Sequence, residues 1–167
     1  MRVLAICGSL QKESGNLRLL ELALELAPAE VELQLFDGIR ALPHFDPDND
    51  GTEPPASVTV WRRALRESQA VLIATPEYGH SLPGALKNAL DWVIGSGELY
   101  QKPVALTAAV PSLERGRRGL DALKNVLLAV DARVVSSAPI VRGAGLEQEL
   151  LALLLALIDS ARGSPPA

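Results

Sequence analysis

A run of small hydroxyl and amide side chains, Gly8-Ser9-Leu10-Gln11-Lys12-Glu13-Ser14-Gly15-Asn16, stands between a short aliphatic stretch and an amphipathic one. A helix that begins at its end presents unpaired backbone N–H groups and partial positive charge, so the segment has the chemistry of a phosphate cradle. Ser14 and Asn16 are equally what an ordinary helix start carries as N-cap residues, and the segment alone does not separate the two uses. It lacks the later glycines of the dinucleotide fingerprint and the Gly-Lys-Ser/Thr of a Walker loop. A single terminal phosphate therefore suits it better than a pyrophosphate.

A second segment, Thr75-Pro76-Glu77-Tyr78-Gly79-His80-Ser81-Leu82-Pro83-Gly84, follows another aliphatic run. Its prolines stiffen both ends, and Tyr78 and His80 are placed to lie against a flat ring; a capped turn with Tyr78 half buried uses the same residues more plainly. Gly79-His80-Ser81-Leu82-Pro83 approaches the hydrolase elbow G-x-S-x-G, but Pro83 replaces the last glycine. The only histidines, His44 and His80, precede the serine, where the elbow's histidine should follow it, so a serine hydrolase is disfavoured. Asp46-Pro47-Asp48-Asn49-Asp50-Gly51 matches half of a calcium loop, yet Ser57 stands where the bidentate carboxylate belongs, and a solvated acidic loop is expected. Glu114-Arg115-Gly116-Arg117-Arg118 is a basic run, either a solvated helix start or a partner for a cofactor's phosphate.

Aliphatic runs alternate with amphipathic ones along the chain, the pattern of a parallel sheet covered on both faces by helices. Strands are predicted at about 2 to 7, 31 to 36, 70 to 75, 103 to 108 and 133 to 137. Helices are predicted at about 16 to 27, 57 to 67, 84 to 94, 117 to 130 and 146 to 161. Pro83 falls in the first turn of the third helix, with Ser81 available to cap it and Gly79 before it for a tight turn. In the last helix the apolar residues from Leu150 to Ile158 cover an arc of about 200°, wider than one sheet face needs. That arc fits a deeply buried edge helix or a contact with a partner subunit.

At 167 residues the chain is the size of one domain, expected over 1–162 with a frayed tail at 163–167. Aromatic residues at 4% argue against a stacking surface for single-stranded nucleic acid, and a net charge of −4 argues against a binder of the phosphate backbone. The longest apolar run, Leu150 to Ile158, is far short of the roughly 20 residues of a membrane span, and the first residues are too short an apolar stretch for a signal peptide. One cysteine, Cys7, excludes an internal disulfide framework and makes no thiolate zinc site alone. A cytoplasmic protein without membrane or nucleic-acid partners, and without a metal site, is the expectation.

The loops together resemble the NAD(P)H-dependent FMN reductase family, the flavodoxin-like group that includes bacterial quinone, azo and chromate reductases. Its first signature, roughly G-S-x-R-x-x-S-x-N-x-x-L, is met by Gly8, Ser9, Ser14, Asn16 and Leu19, with Gln11 at the arginine position. Its second, P-E-Y-N-x-S-x-P-G-x-L-K-N-A-x-D-W, stands from Pro76 to Trp92 as PEYGHSLPGALKNALDW, with Gly79 at the asparagine position. Leu42-Pro43-His44-Phe45-Asp46-Pro47-Asp48 is similar to the family's acidic loop after the second strand, and the resemblance spans about residues 2 to 142. The loop after the fourth strand departs from the family's glycine and serine, reading Ala108-Ala109-Val110-Pro111-Ser112-Leu113-Glu114.

The resemblance implies an α/β, flavodoxin-like, three-layer doubly wound five-stranded parallel sheet. It implies FMN as cofactor and NAD(P)H as electron donor, with electrons passed to a quinone, azo compound, metal ion or free flavin; the alternatives are a flavodoxin-like electron carrier without nicotinamide activity and a flavin-less family member that acts through protein contacts. It places the FMN phosphate on Ser9, Gln11, Ser14, Asn16 and Leu17, and the flavin ring along Pro76, Glu77, Tyr78 and Gly79. With Gln11 in place of a cation, neutral donors and the helix N-terminus are expected to hold the phosphate, unless Lys12, Arg115, Arg117 or Arg118 reaches it. No general acid, base or nucleophile is required of the protein, because the cofactor carries the chemistry. The family's use of a neighbouring subunit to close the site implies a homodimer or homotetramer.

Overall fold

The computed structural model describes residues 1–51 and 53–163. Five strands, β1 (Arg2–Cys7), β2 (Glu32–Phe36), β3 (Ala70–Ala74), β4 (Pro103–Val110) and β5 (Arg133–Val141), pair in parallel in the order β2-β1-β3-β4-β5. The helices are α1 (Gly15–Leu26), α2 (Ala56–Glu67), α3 (Gly84–Asp91), α4 (Arg117–Ala129) and α5 (Leu146–Arg162). This is the doubly wound sheet that the alternation of runs predicts.

The two-residue period of the strands divides the core. Val3 and Ala5 of β1 join Leu72 of β3, Leu20 of α1 and Leu154 of α5 on one face; Leu4 and Ile6 join Ile73, Trp61 of α2, Leu86 of α3 and Leu123 of α4 on the other. Strand β3, buried on both sides at every residue, is the centre. Between β1 and β3 the direction of winding reverses, which opens a crevice outside the carboxyl ends of those strands.

The ends of several elements differ from expectation for physical reasons. Ser81 does not cap α3: Pro83 is its N-cap without a side-chain hydrogen bond, and the Ser81 backbone pairs instead with Tyr78. Helix α3 stops at Asp91 rather than near 94, where Arg62 donates from Nε (3.0 Å) and Nη2 (2.6 Å) to the Trp92 carbonyl and so satisfies its end. Strand β5 runs on past Pro139 because it is the sheet edge, where the missing proline N–H faces no neighbouring strand. Most of the leucine arc of α5 is consumed inside the chain, since Leu150, Leu153, Leu154, Leu157 and Ile158 are buried and Leu155 is 42% exposed. Gly163 closes α5 through its N–H to Asp159 O (3.1 Å), and residues 164–167 of the expected tail lie outside the described residues.

Candidate functional site

Three loops meet at the crevice: residues 8–14 after β1, 75–83 after β3 and 111–116 after β4. The first two begin side by side. Gly8 donates its N–H to Ala74 O (2.9 Å), and a Cβ at Gly8 would lie 2.3 Å from Thr75 Oγ1, so only glycine admits this approach. Ser9 and Ser14 are buried, and each hydroxyl oxygen stiffens the loop by accepting a backbone N–H, Gln11 N to Ser9 Oγ and Asn16 N to Ser14 Oγ, both 3.2 Å. Ser14 is thereby the N-cap of α1. The N–H groups of Gly15 and Leu17 point from the first turn with no acceptor among the described residues, the donor set that an anion would fill. Burial pushes the Cys7 thiol up, which keeps it un-ionised at the start of this loop.

Asn16 does more than the sequence suggests. Its Oδ1 accepts the Ala109 N–H at 2.8 Å. Strand β3 ends at Ala74, opposite Thr107, so beyond that point β4 is paired with β5 but has no strand on its β3 side, and the buried Asn16 amide supplies the missing acceptor there. The amide is therefore oriented with its Nδ2 left over, and no hydrogen bond engages that group among the described residues. Gln11 is exposed, and Leu17 is half-buried on α1.

In the loop after β3, Tyr78 and Ser81 exchange backbone hydrogen bonds of 2.9 and 3.0 Å around Gly79 (φ 57°) and His80 (φ 62°). Positive φ at both central residues makes this a type I′ hairpin turn, for which glycine at 79 removes half the steric cost. The turn leaves Tyr78 53% exposed at the rim. It also places Ser81 in a hairpin rather than at a strand-to-helix elbow, which removes the hydrolase reading.

Glu77 ties this loop to α4. One carboxylate oxygen lies 3.1 Å from His80 Nδ1, and the other accepts the Gly119 N–H at 3.2 Å. Helix α4 has no capping side chain of its own, so Glu77 caps it from another loop. The His80 hydrogen bond, with help from the Gly119 N–H, holds the Glu77 carboxyl below its ordinary range. Gly119 permits the approach, since a Cβ there would lie 3.0 Å from Glu77 Cα and 3.2 Å from Ser81 O.

Between the loops is a cavity of about 160 Å³, walled by Asn16, Pro76, Glu77, Ala109, Arg115 and Gly116 among others. Sites that enclose a drug-sized ligand are roughly 300 to 1,000 Å³, so this cavity is too small to enclose one whole. The sequence reading missed Arg40, whose Nη2 donates to the Leu10 carbonyl from a short 3-10 helix, Gly38–Ala41, after β2. No local pattern marks it. A second cavity of about 320 Å³ opens on the other face, among Glu13, Arg18, Leu19, Arg142 and Leu146, and shares Ala109 with the first.

The acidic loop after β2 has structural employment. Asp46 accepts the Asp48 N–H (3.0 Å) and Asn49 Nδ2 (2.8 Å), and Asp50 pairs with Arg62 at 2.5 Å with both side chains largely buried. The loop is solvated as expected at Pro47, Asp48, Asn49 and Gly51, and only Asp46 and Asp50 are partly covered. No helix among the described residues is long and apolar enough to cross a membrane.

A family described as NADPH-dependent FMN reductase matches residues 1–145. The quinone reductase of Escherichia coli strain K12 is 32% identical over 146 residues, 86% of this chain and 78% of that one. An NAD(P)H-dependent FMN reductase of Pseudomonas aeruginosa is 37% identical over 111 residues, 65% of this chain and 60% of that one. Among solved structures, the flavoenzyme NAD(P)H:(acceptor) oxidoreductase FerB of Paracoccus denitrificans superposes with a TM-score of 0.79 at 28% identity, covering 96% of this chain and 97% of that one.

Proposed function

The chain belongs to the NADPH-dependent FMN reductase family, and from that premise we propose that it is an FMN-dependent oxidoreductase passing electrons from NAD(P)H to a small-molecule acceptor of the quinone class. The observation that carries this reading is the cavity at the switch point, walled by Asn16 of α1 and by Pro76, Glu77, Arg115 and Gly116 of the loops after β3 and β4, beside the first turn of α1 whose Gly15 and Leu17 N–H groups are uncommitted.

The residues present fit FMN. The hydroxyls of Ser9 and Ser14, the N–H groups of Gly15 and Leu17, and Asn16 Nδ2 would hold the phosphate, with Gln11 exposed at the mouth. Pro76, Glu77, Tyr78 and Gly79 would lie along the ring, and the Glu77 bond to Gly119 fixes that hairpin against α4. FMN, when bound, supplies the redox chemistry, taking hydride from the nicotinamide and giving electrons to the acceptor. Ala109 and Pro76 keep the cavity wall apolar and limit water, while the open rim leaves room for nicotinamide and acceptor to use the ring in turn. Quinones lead the acceptors because the E. coli relative is a quinone reductase; azo compounds, metal ions and free flavin share the same open rim.

The test is the visible spectrum of the purified protein after addition of FMN. A yellow protein that bleaches anaerobically with NADH or NADPH and recovers colour on addition of a benzoquinone is the expected result. Yellow protein that no nicotinamide bleaches would make the chain an electron carrier, and protein that takes up no FMN would remove the cofactor.

A further inference from the structure

We propose that Arg115 is the cation that binds the cofactor's phosphate and makes this chain prefer FMN to riboflavin; the inference rests on the placement of that phosphate at the first loop. A phosphate monoester carries close to two negative charges at neutral pH, and hydrogen bonds from a cation to it are shorter and stronger than those from neutral donors. The first loop offers hydroxyls, N–H groups and one exposed lysine, Lys12, which is not part of the cavity wall. Among the described residues Arg115 is the only cation on that wall, which it shares with Asn16.

Its guanidinium is available. No hydrogen bond or ion pair engages the Arg115 side chain among the described residues. Glu77, the only anion on the wall among the described residues, is already occupied by His80 and by the Gly119 N–H. Of the neighbouring cations, Arg117 Nε donates to Leu113 O at 2.7 Å and Arg40 holds the Leu10 carbonyl, while Arg18, Arg118 and Arg142 are not part of this cavity's wall.

The backbone also places Arg115 there. Arg115 N donates to Ser112 O (3.1 Å), which folds the loop back, and Gly116 follows with φ 82°. A Cβ at Gly116 would lie 2.9 Å from Val110 Cγ1 and 3.2 Å from Ala108 Cβ, so the loop returns onto the end of β4 only because glycine stands there. The residue before it is thereby set at the cavity mouth.

The experiment titrates apoprotein with FMN and with riboflavin, read by quenching of flavin fluorescence at low and high salt, for the wild type, Arg115→Met, Arg115→Lys and Arg40→Met. Unfolding temperature of each apoprotein checks the fold. The wild type should prefer FMN, and Arg115→Met should lose about tenfold or more in FMN affinity while riboflavin affinity stays the same. That loss should shrink as salt rises. Arg115→Lys should recover part of it, since an ammonium keeps the charge without the planar fork. If Arg115→Met keeps the wild-type ratio of the two affinities, or Arg40→Met is the variant that loses it, the inference is overturned and the placement of the phosphate stands. A wild type that binds both flavins equally overturns the placement and the inference together.

Discussion

Asn16 has one task in the fold and a second in the proposed phosphate site, and two substitutions divide them. Its Oδ1 accepts the Ala109 N–H at 2.8 Å, and its Nδ2 is the group that the proposed phosphate site would use. Asn16→Ala removes both. A half-buried N–H left without a partner costs about 1 to 3 kcal/mol, and because Ala109 is only partly covered the low end applies. For a chain of this size about 1 to 2 kcal/mol is a fall in Tm of about 2 to 8 °C. Asn16→Asp keeps the acceptor and puts a negative charge in the first turn of α1, where it is favourable by about 0.3 to 1 kcal/mol, so the apoprotein should unfold at or above the wild-type temperature. The same charge about 5 Å from a phosphate at an effective dielectric near 20 opposes binding by roughly 3 kcal/mol per unit charge. FMN should therefore weaken by at least about a hundredfold in Asn16→Asp, and riboflavin hardly at all. Differential scanning fluorimetry of the apoproteins and parallel titrations with the two flavins give both numbers. Equal Tm for the Ala and Asp variants would refute the structural task, and equal losses for FMN and riboflavin would refute the phosphate contact.

Four further outcomes follow from the geometry. Gly8→Ala drives a Cβ to 2.3 Å from Thr75 Oγ1 and should destabilise the fold by about 1 to 3 kcal/mol or more, measured by urea unfolding; an unchanged midpoint would mean that the two loops are not in contact. Glu77 has a folded-state pKa below its ordinary 4.5, so its contribution is complete above that value and is lost as pH falls through the folded pKa. The stability gap between wild type and Glu77→Gln should thus stay constant above about pH 5 and close in acid, and a gap independent of pH would count against the His80 and Gly119 contacts. Lys102, whose Nζ donates to the Leu65 and Ser68 carbonyls, is pushed by burial from 10.5 to about 8 against the pull of Glu98, so the unfolded chain holds more protons between those values and stability should rise with pH there; Lys102→Met should flatten that rise. Tyr78, Leu113 and Leu10 are 53%, 49% and 38% exposed, apolar side chains on the loops of the site, and a second copy of the chain covering them would give a homodimer or homotetramer; sedimentation at micromolar concentration showing only the 17.7 kDa species would exclude it.

What the sequence made legible is what depends on neighbours a few residues apart. Aliphatic runs and amphipathic stretches declared five strands and five helices, and Ser14 declared itself an N-cap because its partner, the Asn16 N–H, is two residues away. The contacts that organise the site join residues 30, 42 and 93 positions apart: Arg40 to Leu10, Gly119 to Glu77 and Ala109 to Asn16. No spacing rule encodes them. Asn16 needs to meet Ala109 only because β3 stops at Ala74 while β4 continues to Val110, and that mismatch exists only once the strands are aligned in register. Ser81 shows the same limit from the other side. As a helix cap it obeys a local preference, but Gly79 and His80 take positive φ, the hairpin closes on Tyr78, and the serine backbone is engaged before α3 begins. The capping task then passes to Glu77 for a different helix, α4, which the chain does not reach for another 40 residues. A loop whose side chains serve neighbouring elements in this way is fixed by tertiary structure, and that fixity is what the proposed flavin site would require of it.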